Sequence, residues 1–139
     1  MMLDATDHVG YVVRSLDAGI AAFAEPFGLR VVSEASAPEY SIKVVYLTGG
    51  GITVELVEIA DAELAEERLA GLSVRLDHVA YRVGDIDDAA MRLRRSGARF
   101  TAPDGTEIDC PLEFGGARHL MVRPANAPGV TVQLVQRRQ

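Results

Sequence analysis

Four polar residues stand at matching positions in the two halves of the chain. Two are histidines, His8 and His78, each the second residue of an Asp-His-Val motif. The other two, Glu55 and Gln133, are each flanked by a valine and a leucine. Two imidazoles, a carboxylate and an amide oxygen suit a borderline divalent ion such as Zn²⁺, Co²⁺, Ni²⁺ or Mn²⁺. In six-coordination, two positions would stay open for two adjacent oxygens of a substrate.

The matching positions arise from an internal repeat. Residues 7–13, Asp-His-Val-Gly-Tyr-Val-Val, recur at residues 77–83 as Asp-His-Val-Ala-Tyr-Arg-Val. Residues 51–58 recur at residues 129–136, with one exchange of isoleucine for valine and two of glutamate for glutamine. The sequence therefore indicates that one structural unit is present twice.

The repeat predicts two modules within a single domain of residues 1–139, one over about residues 5–60 and the other over about 75–137. Residues 61–72 between them are rich in Ala, Glu and Leu, which predicts a linker helix. In each module a Val- and Tyr-rich opening is followed by helix formers that end at a glycine and then by extended segments. The fold class is therefore predicted as α+β, with two βαβββ modules.

The local signals also predict the bounds of the elements. The helices are expected at residues 18–27 and 89–96, with Ser15 and Asp85 as N-caps and glycines at their ends. The later strands are expected at residues 29–34, 43–47, 52–58, 98–101, 119–123 and 130–136.

Alternation of side chains along a strand places each histidine on the face opposite its chain neighbours. If the modules pack with pseudo-twofold symmetry, His8, Glu55, His78 and Gln133 can converge on one interior point. Burying an unpaired carboxylate there is unfavourable, and a divalent cation removes that penalty. Taken singly, each residue is more often structural or solvated. The duplicated context favours a metal site.

Composition and charge exclude several classes of partner. No apolar run approaches the roughly 18 residues that a membrane span needs. The net charge of −6 argues against nucleic-acid binding, because nucleic-acid binders usually carry a positive surface.

The N-terminus lacks the basic start and apolar stretch of a secretory signal. The single cysteine, Cys110, cannot form an internal disulfide. A cytoplasmic location is therefore expected.

Several short segments resemble methylmalonyl-CoA epimerases, which belong with glyoxalase I to the vicinal oxygen chelate superfamily. The segments are residues 7–10, 29–32, 38–39, 43–47, 54–58 and 77–80, together with residues 115–118 before Pro124. The resemblance covers nearly the whole chain without large insertions. It implies a paired, partly closed mixed sheet around a metal-binding cleft.

The resemblance also implies roles for individual residues. One divalent metal would be held by His8, Glu55, His78 and Gln133, with the thioester and carboxylate oxygens of a substrate as further ligands. The metal would act as a Lewis acid for the enolate formed when the α-proton leaves. Glu39, which follows a proline between the second and third strands, matches the glutamate that serves as base in the epimerases. A homodimer is expected, because subunits of this superfamily often pair.

Gln133 departs from the family pattern, in which a glutamate commonly stands at the last ligand position. An amide oxygen can bind a metal but cannot carry a proton in that role. His119 is therefore a candidate for the second acid–base group, because an imidazole with an unperturbed pKa of about 6.5 suits proton transfer. An exposed histidine without that role is the alternative. Tyr40 and Tyr46 are weaker candidates, and Tyr40-Ser41 replaces the Gln-Gly or His-Gly usual in the family.

Two enzymatic functions are open at this point. The first is an epimerase acting on methylmalonyl-CoA or another acyl-CoA, for which Lys43, Arg118 and Arg123 are candidates to hold phosphate. The second is a different metal-dependent isomerase or lyase of the same scaffold, acting on a specialised small molecule with vicinal oxygens. Gln133 favours this second function.

A third function is a non-catalytic binder of a small molecule, as in the antibiotic-resistance members of the superfamily. Such binders generally lack the metal ligands, so His8, Glu55 and His78 count against it. The sequence therefore predicts a metal-dependent epimerase, isomerase or lyase.

Overall fold

Nine strands and three helices make up residues 2–138, the part of the chain that the computed structural model describes. The helices are α1 (Leu16–Phe27), α2 (Ala62–Leu69) and α3 (Ile86–Arg95). The strands are β1 (Leu3–Val13), β2 (Arg30–Ala37), β3 (Ile42–Gly49), β4 (Ile52–Ile59), β5 (Val74–Val83), β6 (Arg99–Thr101), β7 (Leu112–Phe114), β8 (Ala117–Arg123) and β9 (Val132–Arg137). Both parallel and antiparallel strand pairs are present, and the predicted α+β class is confirmed.

Residues 8–77 form one compact unit. Its strand order is β2-β3-β4-β1, in which β1 is parallel to β4 and the other neighbours are antiparallel. Helix α1 begins after Ser15, whose side chain accepts a hydrogen bond from the Ala18 amide at 3.3 Å. It ends at Gly28, whose φ of 69° favours glycine. Both predicted caps are confirmed.

Residues 2–7 and 78–138 form the other compact unit. Strand β5 is parallel to β9, and β8 is antiparallel to both β9 and β6, which repeats the pairing scheme of the first unit. Asp85 caps α3, accepting a hydrogen bond from the Asp88 amide at 3.0 Å as predicted. One strand, β7, was not predicted. It pairs with β8 and has three residues, too few to show an alternating pattern.

The turn between β7 and β8 contains a signal that would have revealed this hairpin. Gly115 and Gly116 both have positive φ, 60° and 78°, and the residues on either side, Phe114 and Ala117, are paired. A two-residue turn with positive φ at both positions matches the twist of a hairpin and favours Gly-Gly. The same turn places the Phe114 carbonyl beside β8.

Helix α2 occupies part of the predicted linker. Asp61 lies outside the helix and caps it, accepting a hydrogen bond from the Leu64 amide at 3.0 Å. Ala70 ends it with a φ of 51°. Among residues 2–138, no helix has the length and hydropathy that crossing a bilayer requires.

Each unit packs its long helix against one face of its strands. In the first unit the apolar core beneath α1 is formed by Val13, Val45, Leu47, Val54 and Leu56. In the second the core around α3 includes Val83, Phe100, Leu120, Val122 and Leu134. Because side chains alternate along a strand, the intervening residues face away from the helices. These include His8, Tyr46 and Glu55 in the first unit and His78, His119 and Gln133 in the second.

Candidate metal centre

Three of the predicted metal ligands are buried. They are His8 and Glu55 in the first unit and His78 in the second. Their relative exposures are 1%, 4% and 4%. The His8 Nε2 and Glu55 Oε1 atoms are 3.8 Å apart, too far for a hydrogen bond. Two ligand atoms that each lie about 2.1 Å from one ion can be up to about 4.2 Å apart. The distance between His8 and Glu55 therefore fits a shared divalent cation.

Glu55 is oriented by its neighbour across the sheet. Tyr46 lies directly opposite it in the β3–β4 register, and the Tyr46 hydroxyl donates a hydrogen bond to Glu55 Oε2 at 2.6 Å. The rings of His8 and Tyr46 also meet edge to face, with centroids 5.6 Å apart. The hydrogen bond occupies one carboxylate oxygen, and the other, Oε1, is the atom nearer His8. Tyr46 therefore supports the carboxylate in the orientation that a metal ligand needs.

Gln133 carries a buried oxygen that has no hydrogen-bond partner within residues 2–138. Its side-chain nitrogen, Nε2, lies 3.1 Å from His119 Nδ1, whereas Oε1 is left unsatisfied. Leaving a buried carbonyl unpaired costs about 1–3 kcal/mol. A cation would satisfy this oxygen. The donor chemistry of Gln133 therefore fits the predicted ligand role.

His119 is buried, with a relative exposure of 7%. Its Nε2 atom lies 2.8 Å from the Phe114 carbonyl oxygen, and its Nδ1 atom faces Gln133. The ring also meets that of Phe114 at a centroid distance of 6.0 Å. The exposed histidine that the sequence left as an alternative is therefore not found.

Glu39 lies on a short 3-10 turn, Pro38–Tyr40, between β2 and β3, and its side chain is exposed. The next residue after this turn, Ser41, has a φ of 60°. This left-handed conformation costs a residue other than glycine about 1–2 kcal/mol. Ser41 therefore adopts, at this cost, a conformation that glycine would adopt without it.

Ion pairs hold the aspartates that precede the two histidines. The Asp7 carboxylate accepts hydrogen bonds from Arg82 Nε at 2.8 Å and from Arg137 Nε and Nη2 at 2.7 Å each. Asp77 pairs with Arg68 at 3.2 Å. Sequence reasoning missed both pairs, because the partners of Asp7 are far along the chain and no motif marks them. These contacts fix the strands from which the histidines project.

Arg118, one of the candidates for binding phosphate, forms an ion pair with Asp87 of α3. Its Nη1 and Nη2 atoms donate to the two oxygens of Asp87 at 2.8 and 2.9 Å. The hydrogen bond from Arg118 is the main cause that lowers the pKa of the Asp87 carboxyl below its usual value. The same bond raises the pKa of Arg118.

We expect an Arg118→Gln variant to return the pKa of Asp87 towards its usual value. Because the pKa of Asp87 is lowered in the folded chain, its ion pair with Arg118 stabilises the folded state at pH values above the pKa of the unfolded carboxyl. This contribution is lost as the pH falls through the pKa of Asp87 in the folded chain. Carboxyl NMR titration measures the change. Arg92→Gln, which removes the same charge from a pair with Asp88, is the control and should leave Asp87 as it is. An unchanged Asp87 titration in Arg118→Gln would contradict this expectation.

Comparison with known proteins assigns the chain to a family. A sequence profile of the Glyoxalase/Bleomycin resistance protein/Dioxygenase superfamily matches residues 7–112. The chain is 26% identical to the ethylmalonyl-CoA/methylmalonyl-CoA epimerase of Cereibacter sphaeroides, over 97% of this chain and 99% of that protein.

Solved structures show the same fold. The methylmalonyl-CoA epimerase from Mycobacterium tuberculosis is 24% identical, with a TM-score of 0.82 over 99% of this chain and 91% of that one. A methylmalonyl-CoA epimerase in complex with methylmalonyl-CoA and ammonium is also 24% identical, with a TM-score of 0.81 over 97% and 95% of the two chains. Together with the profile match, which spans more than half of the sequence, these likenesses confirm the predicted resemblance. The chain belongs to the glyoxalase/bleomycin resistance protein/dioxygenase superfamily.

Proposed function

We propose that this protein is a metal-dependent epimerase of an acyl-CoA whose α-carbon also bears a carboxylate. The observation that carries the proposal is the buried pair of His8 and Glu55, whose Nε2 and Oε1 atoms lie 3.8 Å apart. The relative from C. sphaeroides and the solved epimerase bound to methylmalonyl-CoA support the class of substrate.

The metal would be held by His8, Glu55, His78 and Gln133. The two imidazoles and the oxygens of a carboxylate and an amide suit Co²⁺, Ni²⁺, Zn²⁺ or Mn²⁺. When bound, such an ion supplies positive charge that stabilises the negative charge developing on a substrate carbonyl oxygen. Within the chain, Tyr46 holds Glu55 through a hydrogen bond of 2.6 Å to one carboxylate oxygen.

Glu39 is the proposed base. The α-carbon–hydrogen bond breaks, the proton passes to the Glu39 carboxylate, and the electron pair of the bond moves towards the thioester oxygen. A proton from solvent, delivered to the opposite face, forms the bond again with inverted configuration. The exposure of Glu39 on its turn lets it exchange the abstracted proton with water.

Gln133 favours a second candidate, another isomerase or lyase of this superfamily acting on a different small molecule. An amide cannot carry a proton between the two faces of a substrate. Its nitrogen also lies at hydrogen-bond distance from His119. A reaction that removes a proton from one face only would need no second proton-carrying group at this position.

Proton exchange in deuterated water separates the two candidates. We expect the metal-loaded protein to introduce deuterium at the α-carbon of methylmalonyl-CoA and to interconvert its two epimers, as measured by NMR and chiral analysis. Protein treated with a chelator is the control. Deuterium incorporation without inversion would indicate chemistry on one face, and no incorporation by a metal-loaded protein would favour the second candidate.

Two further predictions of the sequence concern assembly and location. A homodimer and a cytoplasmic location both stay predictions. Sedimentation of the purified chain tests the first.

A further inference from the structure

We propose that His119 is a positioning residue that fixes the side-chain amide of Gln133 with its oxygen free to bind the metal. This inference rests on the proposed function, because it assigns Gln133 to the metal. It differs from the acid–base role predicted from the sequence, because His119 would act through Gln133 and not on the substrate.

The Phe114 carbonyl decides which nitrogen of His119 carries the proton. A carbonyl oxygen can only accept a hydrogen bond, and it lies 2.8 Å from His119 Nε2, so Nε2 must donate. In a neutral imidazole the other nitrogen, Nδ1, then has a lone pair and can only accept. The hairpin of β7 and β8 thus selects one tautomer of a buried histidine.

The tautomer of His119 in turn selects the orientation of Gln133. An accepting Nδ1 requires a donor opposite it, and the Gln133 amide nitrogen lies 3.1 Å away. Rotating the amide by half a turn would set its oxygen against the lone pair of Nδ1. The favoured orientation leaves Gln133 Oε1 buried and without a hydrogen bond inside residues 2–138. An unsatisfied buried oxygen held in a fixed direction is suited to a cation.

The first half of the chain has no histidine at the position that corresponds to His119. Val44 pairs with Val57, and His119 pairs with Val135, the residue that corresponds to Val57 in the repeat. A valine therefore stands where the second half has a histidine. The ligand of the first half is a glutamate, whose two oxygens are equivalent when ionised, so either can face the metal. The ligand of the second half is an amide, whose two ends differ.

The tautomer can be measured in the metal-free protein. We expect ¹⁵N NMR of His119 to show a protonated Nε2 and an unprotonated Nδ1 that receives a hydrogen bond from the Gln133 side-chain amide. A protonated Nδ1 would overturn the inference, because Gln133 would then turn its oxygen towards His119.

Metal affinity tests the consequence. In His119→Val, which copies the residue of the first half, we expect Co²⁺ to bind about 10–100-fold more weakly, the usual effect of removing a residue that orients a ligand. His119→Asn keeps an acceptor near the position of Nδ1 and should restore affinity to within about threefold of the original chain. Circular dichroism and thermal unfolding confirm that each variant is folded.

The same substitution in a Gln133→Ala chain distinguishes a positioning role of His119 from a general structural effect of the substitution. In a Gln133→Ala chain, the further change His119→Val should alter Co²⁺ affinity by less than about threefold, because the amide that His119 orients is gone. An equal loss in both backgrounds, or no loss in the original chain, would overturn the positioning role. A wild-type chain without affinity for Co²⁺ would overturn the proposed function as well, so the two failures are distinguishable.

Discussion

Replacing Glu39 by glutamine is expected to slow α-proton exchange of methylmalonyl-CoA by about 10²–10⁴-fold, the contribution usual for a positioned general base. Glutamine keeps the size of the side chain and removes its ability to accept the proton. The bound metal should stay at the wild-type level, because Glu39 lies on the turn Pro38–Tyr40 and not among the proposed ligands. The exchange rate in deuterated water measures the effect.

Glu34→Gln is the matched control for this change. Glu34 lies on strand β2, shortly before the turn that carries Glu39, and its side chain is also exposed. The control therefore removes the same charge from a neighbouring position of the chain. We expect its exchange rate to equal that of the wild type. If Glu39→Gln and Glu34→Gln are equally active, Glu39 is not the base.

Replacing His78 by alanine is expected to empty the metal centre. His78 is 4% exposed and is one of the four proposed ligands. Losing it should reduce the bound ion from one equivalent to less than about 0.1 after dialysis. Exchange and epimerisation should fall by at least about 10³-fold, because an ion that stabilises developing charge contributes several kcal/mol. Elemental analysis of the purified variant gives the metal content.

Arg75→Ala is the control for His78→Ala. Arg75 lies on the same strand, β5, and its side chain is exposed. Its variant should retain the wild-type metal content and activity. A His78→Ala chain that still held one tightly bound ion would remove His78 from the centre.

The repeat is the part of the sequence that predicted most of the fold. A duplicated Asp-His-Val opening and a duplicated closing strand set the order of elements in both halves. Alternation along β4 and β9 then placed Glu55 and Gln133 on the face away from the helices. The corresponding strands of the two halves also pair in the same way, because β1 is parallel to β4 and β5 is parallel to β9.

The supporting contacts of the centre were beyond the sequence. The hydrogen bond between Tyr46 and Glu55 depends on the β3–β4 register, and a slip of one residue would send Tyr46 to the other face. The role of His119 depends on a carbonyl of β7, a strand too short to be recognised from its pattern. Such contacts follow from register and turn geometry, which single residues do not encode.

Buried residues of both repeats are proposed to hold one divalent cation. Titration of the metal-free wild-type chain with Co²⁺, followed by visible absorption, tests it most directly. Saturation at one ion per chain, with the spectrum lost in His8→Ala and in His78→Ala, is the predicted result. A chain that binds no Co²⁺, or that gives the same spectrum without these histidines, would contradict it.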